Sequence, residues 1–289
     1  MTREELIKEI FLKQSYLCVG LDTDITKIPK FLQSNADAIF EFNKQIIDAT
    51  KDLCVAYKIN TAFYEALGAR GWEIMERTVN YIPDTHFKIA DAKRGDIGNT
   101  SSQYARAFFN PEASGLNFDA ITVAPYMGED SVKPFLEFEN KWTILLGLTS
   151  NSGAADFEMK KMITETGNLE EGIHVTKHQT QYLYETVLQT ASKWGTPDNL
   201  MFVIGATKAE EIFAVRKIVP NNFLLVPGVG FQGGSLQEVS KFGITKDCSL
   251  LVNVSRAIIY AGETENFAEE GKAIALQYQT EMKNILSKL

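Results

Sequence analysis

Cysteine and histidine are scarce in this sequence, and their spacing excludes several classes of protein. The 289 residues include three cysteines, Cys18, Cys54 and Cys248, which lie far apart in apolar segments and form no CxxC pair. This pattern favours buried reduced thiols over a disulfide framework or a zinc site. His174 and His178 are four residues apart, but no glutamate or third ligand completes a zinc-protease motif. We therefore predict no metal site.

Long apolar segments and an excess of positive charge are also missing. No apolar run approaches the roughly 18 residues that a membrane-spanning helix needs, and residues 1–5 lack the apolar core of a signal peptide. The formal net charge of −8 disfavours nonspecific binding to nucleic acid or to anionic membranes. We predict a cytoplasmic protein that binds neither nucleic acid nor membranes.

Short apolar runs alternate with helical patterns along the chain. The strand-like runs are residues 16–21, 55–60, 87–90, 119–123, 142–148, 201–204, 223–226 and 249–253. Helical periodicity is found at residues 3–13, 36–53, 65–81, 100–109, 131–138, 174–194, 209–218 and 267–289. A strand–helix unit repeated eight times predicts a fold of the α/β class, the (β/α)8 or TIM barrel. An open doubly wound sheet is the alternative, but no GxGxxG motif follows the first strand.

The chain contains no linker that would divide it into separate domains. Segments rich in proline, glycine and serine do not interrupt the alternation. We predict a single barrel domain over residues 1–289. A polar insertion at about residues 151–173 follows strand five, and we expect a hairpin in it around Gly167 and Asn168.

Polar residues follow the strands where barrel enzymes carry their active sites, at the carboxyl-terminal ends. These positions hold Asp22, Lys58, Asn60, Asp91, Lys93, Asp96, Thr149 and Ser150. If the strand geometry persists, Asp91 and Lys93 point to the same side. One such residue would be a contact with water at the rim. Several at one barrel mouth indicate a built cluster, because buried charges must be paired to offset their lost hydration.

A cluster of lysines and aspartates supports two kinds of chemistry. Opposite charges keep its members ionised near neutral pH. An ammonium group can then donate a proton to a carbon on which negative charge develops, and a carboxylate beside an anionic substrate group would disfavour the bound substrate. Schiff-base formation instead requires a lysine with a lowered pKa, whereas nearby carboxylates raise the pKa. The residues favour ammonium chemistry without excluding an imine.

A glycine-rich loop follows strand seven at residues 227–234, with the sequence PGVGFQGG. Its glycines allow close approach of the backbone to a ligand. Barrel enzymes often bind phosphate between the loops after strands seven and eight. Gln232 in the first loop and Arg256 in the second supply donors suited to phosphate oxygens. We expect a phosphate site here; the alternative is a flexible turn and a surface arginine.

Five segments, in order, resemble those of the orotidine 5′-phosphate decarboxylase family, in its longer, type 2 branch of bacterial and protozoan-like proteins. They are DAKRGDI at residues 91–97, which matches the pattern DxKxxDI, GLD at 20–22, YKIN at 57–60, PGVGFQGG at 227–234 and SR at 255–256. The resemblance extends from strand one to strand eight and thus covers nearly the whole chain.

The resemblance implies decarboxylation of orotidine 5′-phosphate to uridine 5′-phosphate, the last step of de novo UMP synthesis, without cofactor or metal. It implies that Lys93 protonates pyrimidine C6 and that Asp91 lies beside the substrate carboxylate. Lys58 and Asp96 would complete a charge network. Asp96, Ile97 and Thr100 would reach the partner's site across a homodimer interface. The other implied substrate contacts are Asp22, Lys58 and Asn60 at the ribose, Thr149 or Ser150 at the base, and Pro227, Gln232 and Arg256 at the phosphate and its loop.

Three other functions stay open. A related barrel decarboxylase of sugar-acid phosphates shares DxKxxD but uses a magnesium-stabilised enediolate. It needs a further acidic ligand after strand two, for which Glu65 is the nearest candidate, several residues late. A Schiff-base aldolase would use Lys58 or Lys93. A nucleotide-phosphate-binding barrel without catalysis would bind the nucleotide and not convert it.

Overall fold

The central element of the fold is a closed barrel of parallel strands. Within residues 1–170, 173–206, 209–230 and 233–289, which the computed structural model describes, eight strands form this barrel. They are β1 (Leu17–Gly20), β2 (Ala56–Asn60), β3 (Phe87–Arg94), β4 (Ala120–Val123), β5 (Trp142–Leu148), β8 (Leu200–Ile204), β9 (Leu224–Pro227) and β10 (Leu250–Val254). Two more strands, β6 (Lys161–Glu170) and β7 (Ile173–Tyr182), form a separate hairpin. The predicted (β/α)8 barrel is confirmed.

Helices follow the strands and cover the barrel. They are α1 (Arg3–Lys13), α2 (Lys30–Gln33), α3 (Ala38–Thr50), α4 (Ala62–Glu65), α5 (Ala69–Tyr81), α6 (Gly98–Phe109), α7 (Pro111–Ser114), α8 (Glu129–Leu136), α9 (Leu183–Ala191), α10 (Ala209–Ile218), α11 (Leu236–Gly243), α12 (Arg256–Ile259) and α13 (Phe267–Leu286). None of the helices in the described part of the chain has the length and apolar character needed to cross a membrane.

The strand register brings the polar strand ends to one rim. Neighbouring strands follow chain order, and β10 pairs with β1 to close the ring. Gly20 lies opposite Lys58, and Asn60 lies opposite Asp91. Because all eight strands are parallel, the residues that follow them meet at this carboxyl-terminal rim.

The packed core is apolar on both sides of the barrel wall. Strands β8 and β10 are buried at every residue, as expected for strands covered on both faces. Helix α3 buries a face that includes Ile39, Phe42 and Ile46, whose spacing matches one side of a helix. The three cysteines are buried and unpaired, as predicted.

The amino-terminal helix α1 contacts the opposite end of the barrel. Thr2 and Glu5 form a capping box at its start. Arg3 donates hydrogen bonds to the carbonyl oxygen of Pro197 and to Ser249 Oγ, just before β8 and β10 begin. The chain start therefore covers the amino-terminal ends of these strands, away from the rim that holds the polar residues.

Strand β3 extends beyond the predicted residues 87–90 and contains a bulge. Its register with β4 shifts between Ala90 and Arg94. Within this shift Lys93 has a φ of 48°, a left-handed conformation that costs a residue with a side chain about 1–2 kcal/mol. Bulges change the direction of a side chain and are frequent beside active sites. Residues 91–93 are therefore not fully extended, and the strand geometry from which we expected Asp91 and Lys93 to point to the same side does not hold.

The segment after β5 differs from the prediction of a helix at residues 174–194. Residues 173–182 form strand β7, which pairs antiparallel with β6, and helix α9 begins only at Leu183. The expected hairpin is present, but Gly167 and Asn168 lie within its first strand, β6, and not at its turn. The apolar spacing of this segment is compatible with a helix, whereas its β-branched residues, such as Ile173 and Val175, favour a strand. Pairing with β6 stabilises the strand.

Helix α5 packs against α4 at a position where a side chain does not fit. A Cβ atom at Gly71 would lie 1.7 Å from the carbonyl oxygen of Tyr64. Alanine favours a helix over glycine by about 1 kcal/mol, but this overlap involves backbone and forces the helices apart. We expect Gly71→Ala to lower the free energy of unfolding by about 2 kcal/mol in urea denaturation. Glu73→Ala, at an exposed position of α5, serves as the control; equal stability of both variants would contradict this packing.

Candidate active site

A cavity of about 290 Å³ opens at the carboxyl-terminal rim of the barrel. Its polar lining consists of Asp22, Lys58, Asn60, Asp91, Lys93, Thr122, Thr149, Ser150, Asn151, Asn253, Ser255 and Arg256. Its less polar part consists of Leu146, Val203, Leu225, Pro227, Gly228, Val229, Val254 and Ala257. A concave space of this size, with an apolar wall and converging polar groups, suits a small organic ligand.

Lys58 occupies the buried centre of the polar lining. The residue is only 4% exposed, and its Nζ lies 2.7 Å from Asp91 Oδ2 and 3.4 Å from Asp22 Oδ1. Burial lowers the pKa of Lys58, but the carboxylates of Asp22 and Asp91 outweigh this effect, so the pKa lies above its usual value. Lys58 is therefore an ammonium ion at neutral pH.

Asp91 joins Lys58 to a second lysine, Lys93. Asp91 Oδ1 lies 2.6 Å from Lys93 Nζ. Burial raises the pKa of Asp91, but the charges of Lys58 and Lys93 outweigh burial and hold the pKa below its usual range. The Lys93 side chain is 51% exposed, whereas that of Asp91 is 12% exposed. The four residues thus form an alternating row of charges, Asp22, Lys58, Asp91 and Lys93, whose accessible end is an ammonium group.

Thr122 holds the Asp91–Lys93 pair in place and was not singled out in the sequence. Its Oγ1 donates to Asp91 Oδ1 at 3.1 Å and accepts from the backbone N–H of Lys93 at 2.9 Å. One hydroxyl thus fixes both the carboxylate and the bulge. The sequence feature that could have indicated this role was a hydroxyl residue near the carboxyl end of the otherwise apolar strand β4.

Asn253 is a second cavity residue to which the sequence reading assigned no role. It lies on β10 and is 7% exposed. Among the described residues its buried Oδ1 has no hydrogen-bond partner. A polar residue inside the apolar run LLVNV was the available signal. Its oxygen offers an acceptor to a ligand in the cavity.

Thr149, Ser150 and Asn151 line the cavity where β5 ends. The backbone N–H of Thr149 donates to Glu158 Oε2 at 2.6 Å, and Thr149 Oγ1 donates to Glu158 Oε1 at 2.8 Å. The polar groups of Thr149 are therefore engaged within the protein. Ser150, which follows Thr149 in the chain, lines the same part of the cavity.

The predicted phosphate end of the cavity is formed by Pro227, Gly228 and Arg256. The loop turns back on itself, since the N–H of Gly234 donates to the carbonyl oxygen of Gly228 at 3.1 Å. Gly228 has a φ of 97°, a conformation that glycine adopts without strain. Gln232 lies outside the described residues. The structure thus brings Arg256 and the loop to one side of the cavity.

Asp96, Ile97 and Thr100 do not line the cavity of their own chain within the described residues. Asp96 Oδ1 accepts a hydrogen bond from the backbone N–H of Ile97 at 2.8 Å. Ile97 is 60% exposed. Glu65, the acidic residue considered for magnesium, is likewise absent from the described cavity lining and forms an ion pair with Arg94.

Comparison with known proteins relates this chain to one family. Residues 15–270 match the family described as orotidine 5′-phosphate decarboxylase / HUMPS. The chain is 56% identical to an orotidine 5′-phosphate decarboxylase of Christiangramia forsetii, with 100% of both chains covered. It is similar to the solved OMP decarboxylase of Leishmania donovani (32% identity, TM-score 0.75, 97% of this chain and 100% of that chain). It also matches UMP synthase of Leishmania donovani (34% identity, TM-score 0.79, 97% of this chain), but spans only 56% of that protein.

Removal of Lys58 should leave two buried carboxylates without their shared cation. We expect Lys58→Met to lower the free energy of unfolding at pH 7 by about 3 kcal/mol, because breaking a buried pair exposes the cost of the remaining charge. Lys51→Met is the matched control, since Lys51 and Asp48 form an exposed pair (41% and 43% exposed), worth less than about 1 kcal/mol.

The pH dependence of this loss provides a second measurement. In the wild type the pKa of Asp91 is depressed, so the stabilisation from this group is present at pH 7 and is lost only as pH falls below about 4. In Lys58→Met the pKa of Asp91 should rise, and a proton should replace the missing cation. In urea denaturation, the difference in free energy of unfolding between the wild type and Lys58→Met should then become smaller from pH 7 to pH 4. A difference that does not change with pH would contradict the pairing of Lys58 with Asp91.

Proposed function

The chain belongs to the orotidine 5′-phosphate decarboxylase / HUMPS family, and we propose that Lys93 performs its chemistry by protonating C6 of the substrate pyrimidine. The enzyme is a carboxy-lyase that converts orotidine 5′-phosphate to uridine 5′-phosphate in pyrimidine biosynthesis. The observation that carries the proposed role is the charge row that ends on Lys93 in the cavity, with Lys93 Nζ 2.6 Å from Asp91 Oδ1.

The proposed reaction requires one bond to break and one proton to move. The bond between C6 and the carboxylate carbon breaks, carbon dioxide leaves, and the electron pair stays at C6. The Lys93 ammonium stabilises this developing negative charge and donates its proton to C6. The neutral amine then regains a proton from solvent. No metal or cofactor takes part, because Lys93 supplies both the positive charge and the proton.

Asp91 has two functions in this proposal. It holds the Lys93 ammonium in position, and its carboxylate lies next to the carboxylate of the substrate. Repulsion between the two anions disfavours the bound substrate and is relieved when neutral carbon dioxide leaves. Lys58 keeps Asp91 ionised, since its Nζ lies 2.7 Å from Asp91 Oδ2.

The remaining cavity residues bind the other parts of the substrate. We assign the ribose hydroxyls to Asp22, Lys58 and Asn60, which lie together at the ends of β1 and β2. Ser150, next to Thr149, contacts the base. Arg256 and Gln232 bind the phosphate, with Pro227 at the base of the loop. Because the phosphate is remote from C6, its binding energy acts on the reaction through orientation and loop closure.

A homodimer would complete the site with Asp96. We define the rim face as Ile97, Tyr104, Tyr126 and Met127, which are 60%, 36%, 94% and 44% exposed. The face is continuous with the catalytic strand: Arg94 lies over the Tyr104 ring at 5.6 Å. Exposed apolar side chains that form one contiguous patch are typical of protein interfaces. A second copy on this face would bring Asp96, Ile97 and Thr100 to the neighbouring cavity.

The alternative functions have less support. The magnesium mechanism depends on Glu65, which is ion-paired with Arg94. Schiff-base chemistry at Lys58 requires a lowered pKa, whereas burial is outweighed by Asp22 and Asp91 and the pKa lies above its usual value. The cytoplasmic location and the lack of nucleic-acid binding stay predictions.

The proposed chemistry is tested by following the ultraviolet absorbance of orotidine 5′-phosphate in the presence of a chelator. We expect the chelated wild type to convert it to uridine 5′-phosphate and Lys93→Ala to lose at least about 10³-fold in kcat, because its proton donor is gone. Lys93→Ala should still bind uridine 5′-phosphate in calorimetry. Lys272→Ala, at an exposed lysine, is the control. A requirement for magnesium, or full activity of Lys93→Ala, would refute the mechanism.

Mixed dimers test the proposed position of Asp96. Lys93→Ala and Asp96→Asn should each be nearly inactive alone. In a mixed dimer one site combines intact Lys93 with intact Asp96 from the partner subunit. After unfolding and refolding an equal mixture, we expect about a quarter of wild-type activity, since about half of the dimers are mixed and each has one intact site. No recovery in a mixture that is dimeric by sedimentation would show that Asp96 serves its own chain.

A further inference from the structure

We propose that Glu158 is a positioning residue for recognition of the pyrimidine, and that it holds the end of β5 where Ser150 meets the base. This inference rests on the proposed function, because it concerns the base of the same substrate. Glu158 lies in the polar segment between β5 and the β6–β7 hairpin, for which the sequence indicated no chemistry. It therefore also gives part of this insertion a role.

The Glu158 carboxylate binds two groups of a single cavity residue. Its Oε2 accepts from the backbone N–H of Thr149 at 2.6 Å. Its Oε1 lies 2.8 Å from Thr149 Oγ1, whose one proton is shared between Glu158 and Asn151 Oδ1 at 2.6 Å. Hydrogen bonds to an ionised acceptor are shorter and stronger than those between neutral groups. Two such bonds fix both the backbone direction and the side-chain rotamer of Thr149, and Ser150 follows directly in the chain.

The other side of the same segment packs against a glycine. A Cβ atom at Gly205 would lie 2.8 Å from both the Cα and the Cβ of Ser150. The backbone N–H of Gly205 also donates to the carbonyl oxygen of Leu148 at 2.8 Å. Residues 148–150 are thus held between β8 on one side and Glu158 on the other. The position of Ser150 depends on both contacts.

Glu158 is itself anchored by backbone hydrogen bonds rather than by its side chain alone. The N–H of Tyr184, in the first turn of α9, donates to the carbonyl oxygen of Glu158 at 3.0 Å. The N–H of Met159 donates to the carbonyl oxygen of Ala154 at 3.0 Å, and Ala154 is buried at 3% exposure. The start of the insertion, residues 154–159, therefore connects α9 to the cavity through hydrogen bonds.

The charge of the Glu158 carboxylate strengthens its contacts with Thr149. The backbone N–H of Thr149 can only donate, whereas its hydroxyl can donate to Glu158 or accept from it while it donates to Asn151 Oδ1. Glutamine offers one acceptor oxygen to the N–H and an NH₂ group that can donate to the hydroxyl. Glu158→Gln therefore keeps both contacts without the charge, whereas Glu158→Ala loses both.

The expected consequence is loss of base selectivity rather than a general loss of binding. Uracil and cytosine differ in the donors and acceptors at one edge of the ring. A site that reads such a difference must hold its own polar groups in fixed directions. A displaced Ser150 segment weakens the discrimination between the two bases. The ribose and phosphate contacts, on β1, β2 and the loops after β9 and β10, stay as they are.

The test measures the dissociation constants of UMP, CMP and ribose 5-phosphate by calorimetry for the full-length protein. In Glu158→Ala we expect the dissociation constant of CMP divided by that of UMP to fall about tenfold. The dissociation constant of ribose 5-phosphate should stay unchanged. KM for orotidine 5′-phosphate should rise more than kcat falls. Glu158→Gln should lie between the wild type and Glu158→Ala. Asp156→Ala, an exposed acidic residue of the same segment, is the matched control and should keep the wild-type ratio.

Two results would overturn the inference: an unchanged CMP to UMP ratio in folded Glu158→Ala, or equal weakening of all three ligands. If Glu158→Ala does not fold, Thr149→Val, which removes the hydroxyl contacts with Glu158 and Asn151, measures the same ratio and decides in the same way. Turnover of orotidine 5′-phosphate by the wild type is measured separately. Its absence alongside a retained preference for UMP would defeat the proposed reaction and not the role of Glu158.

Discussion

The site depends on one buried ion pair, the contact of Lys58 Nζ with Asp91 Oδ2 at 2.7 Å. Each of these groups loses hydration worth several kcal/mol when it is buried, and a single contact does not offset that loss. Asp22 and Lys93 supply the additional charges, at 3.4 Å from Lys58 and 2.6 Å from Asp91. The row is stable as a set, so β1, β2 and β3 must keep the register that brings these residues together.

This requirement explains why the barrel wall is irregular next to the site. At the bulge in β3 the backbone of Lys93 is not extended and has a φ of 48°. This change of direction brings the Lys93 side chain back to Asp91. Thr122 offsets part of that conformational cost through its bonds to the N–H of Lys93 and to Asp91 Oδ1. Neighbouring strands thus hold this local strain, and Lys93 lines the cavity.

The part of the cavity to which we assign the base is held in a different way. Its polar groups follow β5 in a loop, and a loop needs contacts from elsewhere to hold one conformation. Gly205 supplies space on one side, and Glu158 supplies two charge-assisted bonds on the other. In the proposed function, charge pairing organises the chemistry and the contacts of a loop organise specificity, so each can change without the other.

The sequence by itself determined the barrel and three members of the charge row, whereas Asp22 rather than Asp96 is the fourth. Eight strands alternating with helices, and polar residues after them, follow from local periodicity, which is encoded over a few neighbouring residues. Lys58, Asp91 and Lys93 were found in this way, and the structure places them in one cavity. Their roles in the reaction stay predictions.

Only the tertiary structure decided the bounds of strands β6 and β7, the bulge at Lys93 and the partners Thr122 and Glu158. Strand β7 carries apolar residues compatible with either a helix or a strand, and pairing with β6 settles its conformation. Thr122 lies 31 residues from Asp91 in the chain and touches it in space. Contacts of this kind depend on how strands and loops pack, and no local pattern of residues records them.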